Sequence, residues 1–73
     1  MFFGPQPATI LALQAISIHG ERLYDVHFQV DGETNARSAR LGPETLYSDV
    51  KPGDKVRVRF VMDTVTRIER SSS

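Results

Sequence analysis

Lys51-Pro52-Gly53-Asp54-Lys55-Val56-Arg57-Val58-Arg59-Phe60-Val61-Met62 alternates apolar and charged side chains as it leaves a Pro-Gly turn. A strand has a side-chain period of two, so Val56, Val58, Phe60 and Met62 fall on one face. Lys55, Arg57 and Arg59 fall on the other. Four apolar groups therefore turn inward while three cations face water. Pro52 presets the second position of a type II turn, and Gly53 accepts the positive φ of the third. The rest of the chain reads as material that covers this apolar face.

Downstream, Asp63-Thr64 turns the chain, and 65–69 predicts a short strand with Ile68 inward. Arg70 and the three serines, 71–73, are expected to form a frayed tail. Upstream, Pro43-Glu44-Thr45-Leu46-Tyr47 suits one helical turn, with Pro at its first position and a carboxylate in its first turn. Leu46 and Val50 would then plug an open end of the core. Residues 34–41 read as a polar edge strand, because charge on an edge discourages pairing with another chain. Asp31-Gly32 signals a primed hairpin turn. The run 23–30 is a clean strand, with Tyr24, Val26, Phe28 and Val30 on one face and Asp25, His27 and Gln29 on the other. Gly20-Glu21-Arg22 is expected to turn the chain before it.

Residues 8–19 carry a mixed signal. Ala, Leu and Gln favour a helix from 9 to 17. Yet Leu11 and Leu13 are apolar at odd positions, and Ile16 and Ile18 at even ones. One extra residue near Gln14-Ala15 would switch the parity, as a β-bulge does where a long strand bends. The long bent strand is the preferred reading and the short helix its alternative. Two prolines and a glycine make residues 1–7 an extended lead-in outside regular structure. Phe2 and Phe3 in it either pack against the sheet or form a small contact surface.

Five short strands with one helical turn between the third and fourth predict an all-β, five-stranded antiparallel barrel, since closure removes exposed edges. The placement of the helical turn favours an OB-like barrel over an SH3-like one. Residues 1–73 make one domain, near the lower size limit for independent folding. With no cysteine, neither a disulfide nor a thiolate metal site supplements the core, which leaves packing, backbone pairing and self-association. The apolar run 8–18 is interrupted by Gln14 and Ser17 and is too short to span a bilayer. Gly4, Pro5 and Pro7 follow the apolar Met1-Phe2-Phe3 at once, with no basic n-region of a signal peptide. A cytoplasmic location is expected, with no membrane partner.

Little in the chain suggests catalysis. His19 and His27 lack metal-binding spacing, the serines lack a nucleophile-elbow motif, and no loop is glycine-rich enough to cradle phosphate. The expectation is no enzyme, no cofactor and no metal site. What remains is charge. The net charge is zero, yet residues 1–36 carry one basic and four acidic side chains, and residues 37–73 carry eight basic and five acidic. Lys55, Arg57, Arg59, Arg37 and Arg40, with Arg67 on the last strand, form a candidate patch for single-stranded nucleic acid or RNA, and Tyr47 is a candidate stacking ring. The plainer reading pairs the fourth-strand cations, Lys55, Arg57 and Arg59, with Glu33, Asp63 and Glu69 across neighbouring strands. An acidic protein surface and a homo-oligomer contact are the alternative partners for such a binding or accessory module.

Overall fold

In β4, Lys55–Val61, the alternation holds: Val56, Val58 and Phe60 are buried, and Lys55, Arg57 and Arg59 are exposed. The computed structural model describes residues 4–71. Its other strands are β1 (Pro5–Ile18), β2 (Glu21–Val30), β3 (Arg37–Leu41) and β5 (Thr64–Arg70), with a 3₁₀ turn at Pro43–Thr45 between β3 and β4. The expected packing or contact role of Phe2 and Phe3, and the tail at 72–73, lie outside the described residues.

The strands form one antiparallel sheet in the order β3-β2-β1-β4-β5. It does not close, because no ladder joins β3 to β5 among the described residues. The expected barrel is therefore an open curved sheet. Its inner face is a continuous apolar layer of Ala8, Ile10, Val26, Phe28, Val30, Leu41, Val56, Val58, Phe60 and Ile68. Arg37 at the β3 edge reaches across the seam to the Phe60 ring, 5.6 Å from its centroid. Leu46, Tyr47 and Val50 pack against the same layer from the loop, as expected of a plug.

β1 is a strand over its whole length, not a helix. Its bulge lies between Ile10 and Ala12, earlier than the expected Gln14-Ala15. The reason is packing. Ala8 and Ile10 face the core between β2 and β4; beyond Ile10 the strand leaves β4, and the extra residue Leu11 turns Leu13 toward Val26. The expected irregular lead-in is corrected too. Pro5, Gln6 and Pro7 pair with Arg59, Val58 and Arg57 of β4. The Pro7 carbonyl accepts from Asp31 N–H at 2.9 Å, whereas Ile10 exchanges bonds with Asp54 O and Gly53 N. Odd positions here thus point away from β4, so prolines at 5 and 7 remove no donor that β4 needs.

Four further boundaries shift. His19 (φ 51°) and Gly20 (φ 81°) form the first turn, a two-residue primed turn, so Glu21 and Arg22 begin β2. After Val30 the chain turns through Glu33 N–H to Val30 O, and β3 starts only at Arg37, not at 34. Met62, expected inward, sits in the β4–β5 turn at φ 56° and is 69% exposed. Arg70, expected in the tail, belongs to β5, and Ser71 N–H still bonds Lys55 O at 3.1 Å. The Lys51–Asp54 turn forms as its Pro-Gly pair predicts, closed by Asp54 N–H to Lys51 O at 3.2 Å. Among the described residues, no helix is long and apolar enough to cross a membrane.

Candidate functional site

The outer face of β4 gathers three of the expected site residues. Lys55, Arg57 and Arg59 recur at every second position, ~7 Å apart at the usual strand rise. On one side lies β5, where Arg57 faces Glu69 and Arg59 faces Arg67. On the other lies β1, where Thr9, Pro7 and Pro5 stand opposite Lys55, Arg57 and Arg59. The face thus has a cationic centre, a mixed border on β5, and an exposed border of two proline rings on β1.

Its one carboxylate is shared. Glu69 Oε1 accepts from Arg59 Nε at 2.7 Å, and Oε2 lies 3.7 Å from Arg67 Nε. The hydrogen bond from Arg59 holds the Glu69 carboxyl below its ordinary range, with Arg67 and Arg57 adding to the effect. Lys55 Nζ donates to Thr9 Oγ1 at 3.0 Å and has no carboxylate partner among the described residues. Arg57 makes no ion pair or side-chain hydrogen bond among them. Four cations therefore surround one anion. Arg59 and Arg67 oppose each other directly, a like-charge pairing that costs stability in a sheet. A face shaped only by cross-strand pairing would alternate the signs.

The other expected residues go elsewhere. Arg40 is on the outer face but separated from β4 by two strands, paired to Asp25 through Nε at 2.9 Å. That bond lowers the Asp25 pKa and raises the Arg40 pKa. Arg37 lies on the opposite face, beside Phe28, with Nε and Nη2 each 2.9 Å from a Glu33 carboxylate oxygen. The expected pairing of a β4 cation with Glu69 thus forms, whereas Glu33, expected to pair with a β4 cation, engages Arg37 of β3. Asp63 joins no ion pair among the described residues, although its charge raises the Arg37 pKa together with the closer Glu33.

Tyr47 does not accompany the cations. Its hydroxyl donates to Asp54 Oδ2 at 2.5 Å, and Arg70 lies over its ring, 4.9 Å from the centroid. Burial, reinforced by the bond to Asp54, pushes its pKa up to about 12. The ring is held against the core and lines a shallow recess with Leu13, Tyr24, Leu46 and Val50. The Tyr47–Asp54 bond was not anticipated from the sequence; its only sequence signal is an acid at the end of a Pro-Gly turn seven residues on.

His27 shares the outer face with Asp25 and Ser38. Among the described residues, no three His, Asp or Glu side chains gather closely enough to hold a metal ion. No protein-family model, curated protein or solved structure matches this chain.

Proposed function

We propose that this chain is a non-catalytic binding module whose β4–β5 outer face follows the phosphate backbone of single-stranded nucleic acid. One observation carries the reading: Lys55, Arg57, Arg59 and Arg67 share a face with a single carboxylate, Glu69. Alternate strand positions space the cations regularly, as an extended polyanion requires. Pro5 and Pro7 offer flat apolar surface beside Arg59 and Arg57, where sugars or bases could rest. Among the described residues, no aromatic ring stands among the cations. Affinity in this reading is electrostatic, sequence-tolerant and salt-dependent.

The finer fold belongs to the same proposal. A first strand that pairs with both β2 and β4, and a helical turn between β3 and β4, support an OB-like arrangement opened at the β3–β5 seam. OB-folds usually bind through the face of strands two and three. Here that face has Arg40 neutralised by Asp25, whereas β4 and β5 carry the excess charge that a polyanion would meet.

Fluorescence anisotropy with a labelled oligothymidylate tests the proposal. Three to four phosphate contacts predict a slope of log K against log salt of about −2 to −3, an affinity loss of roughly 20–50-fold between 50 and 200 mM salt. Arg57→Ala should weaken binding and flatten the slope by about 0.7. Arg40→Ala should leave both unchanged. Non-specific binding typically falls at ~10⁻⁴–10⁻⁶ M, so no binding at about 50 µM protein and low salt ends the reading. Tighter binding of a polyglutamate peptide of equal length would assign the face to an acidic protein instead.

A further inference from the structure

We propose that the free edge of β1, residues 11–18, pairs antiparallel with the same edge of a second copy of this chain, about a two-fold axis. β2 lines one side of β1 from Ala8 to Ile18. β4 lines the other side only from Pro5 to Thr9, and the Gly53-Asp54 turn extends that cover to Ile10. From Leu11 onward the β4 side of the strand has no backbone partner among the described residues. The His19-Gly20 turn fixes which groups are left over. Ile18 and Glu21 close that two-residue turn, so Ile18, Ile16 and Gln14 exchange bonds with β2 by antiparallel alternation. Leu13, Ala15 and Ser17 then present their N–H and C=O groups outward.

This edge lacks the usual protection. Natural sheets blunt an open edge with charge, proline or shortness. β3 is short and carries Arg37 and Arg40; β5 carries Arg67, Glu69 and Arg70. Residues 11–18, Leu-Ala-Leu-Gln-Ala-Ile-Ser-Ile, hold no charge and no proline. Both faces of this stretch of β1 carry apolar side chains. Leu13 and Ala15 share the inner face with Val26 and Tyr24, and Ile16 stands beside Leu23 on the outer face. Leu11 is 46% exposed.

The second copy is the occupant for reasons of symmetry and charge. An isologous contact requires a surface complementary to itself. A two-fold axis through Ala15 sets Leu13 opposite Ser17 of the second copy, and the paired segments 11–18 carry no charge to repel. The same axis ends each hairpin tip where the other copy's Gly53-Asp54 turn begins. Glu21 and Arg22 at the tip then meet the turn that carries Lys51 and Asp54, so charges of both signs stand on each side of the junction. This proposal uses a different surface from the β4–β5 face and stands without it.

Sedimentation equilibrium on the full chain, from about 10 µM to 1 mM, is the test. The expected result is a reversible monomer–dimer equilibrium. Ala15→Pro removes an outward N–H that β2 does not use, and Ser17→Lys places a charge on the edge. Each should shift dimerisation at least tenfold to higher concentration while circular dichroism shows a folded monomer. A monomer throughout the range, or a dimer indifferent to both substitutions in folded protein, overturns the proposal.

Discussion

Phe60 and Arg57 lie three residues apart on one strand and should differ in cost by an order of magnitude. The Phe60 ring is 7% exposed, sits 6.4 Å from the Phe28 ring at a 49° tilt, and lies under the Arg37 guanidinium. Phe60→Ala removes all of these contacts and leaves a cavity beneath the seam, so ~3–5 kcal/mol should be lost. A chain of 73 residues is expected to have only about 4–11 kcal/mol in total. The substitution should therefore remove from about a quarter to all of that stability. Arg57 has water around it and no ion-pair partner within the described residues, so Arg57→Ala should change stability by only a few tenths of a kcal/mol. Urea unfolding followed by circular dichroism measures both. Equal costs would mean that the two faces of β4 have been exchanged.

Elements differ in how far their sequence determines them. β4 was legible because its two faces differ in chemistry, so period two had one solution. β1 was not, because Leu11, Leu13, Ile16 and Ile18 are apolar on both faces, and the place of its bulge is set by where β4 leaves it. No local signal reports that event. Pro5 and Pro7 were misread for a related reason: proline excludes a residue from a ladder only on the side its nitrogen faces. That rule predicts an asymmetry within β1. Pro7→Ala should change stability by less than about 1 kcal/mol, chiefly through the unfolded chain. Gln6→Pro removes a donor that faces β4 opposite Val58, and should cost at least ~1 kcal/mol for the lost hydrogen bond, with a steric penalty besides. Comparable thermal melts for the two variants would refute the strand orientation. The candidate site was half legible. Arg37 and Arg40 differ in parity, which alone places them on opposite faces of one strand; the sharing of Glu69 depended on the β4–β5 register, which the bulged residue Thr66 shifts.

At the scale of the whole molecule, the ionic contacts tie elements together, and their titration should shape stability against pH. Arg40–Asp25 joins β3 to β2, Arg59–Glu69 joins β4 to β5, and Glu33–Arg37 fastens the loop after β2 to β3. Tyr47–Asp54 fastens the loop after the 3₁₀ turn to the start of β4. Asp25, Glu33, Asp54 and Glu69 are all depressed below ordinary values of 3.8 for Asp and 4.5 for Glu. A carboxyl depressed in the folded state binds its proton more readily when unfolded, so its contribution is complete above the ordinary value and disappears as pH falls through the folded one. Stability should therefore decline below about pH 4.5. The sign reverses for Tyr47. Its raised pKa favours the neutral form in the folded chain, a contribution present below pH 10 and lost as pH rises toward about 12. Tyr47→Phe should abolish that alkaline limb. The Tyr47 hydroxyl bond is the main cause of the depressed Asp54 carboxyl, so the substitution should also shrink the acid limb by the Asp54 share and leave those of Asp25, Glu33 and Glu69. Acid also protonates the carboxylates that pair with Arg37, Arg40, Arg59 and Arg67. Repulsion should then concentrate on β4 and β5, where Lys55, Arg57, Arg59 and Arg67 lose Glu69. Added salt of ~0.5 M, which shortens the screening length to a few ångströms, should restore part of the melting temperature at pH 2.5 and change it little at pH 7. A melting temperature that is flat from pH 7 to pH 2.5, or indifferent to salt in acid, would show that these contacts carry no net stability and that the four cations do not repel one another.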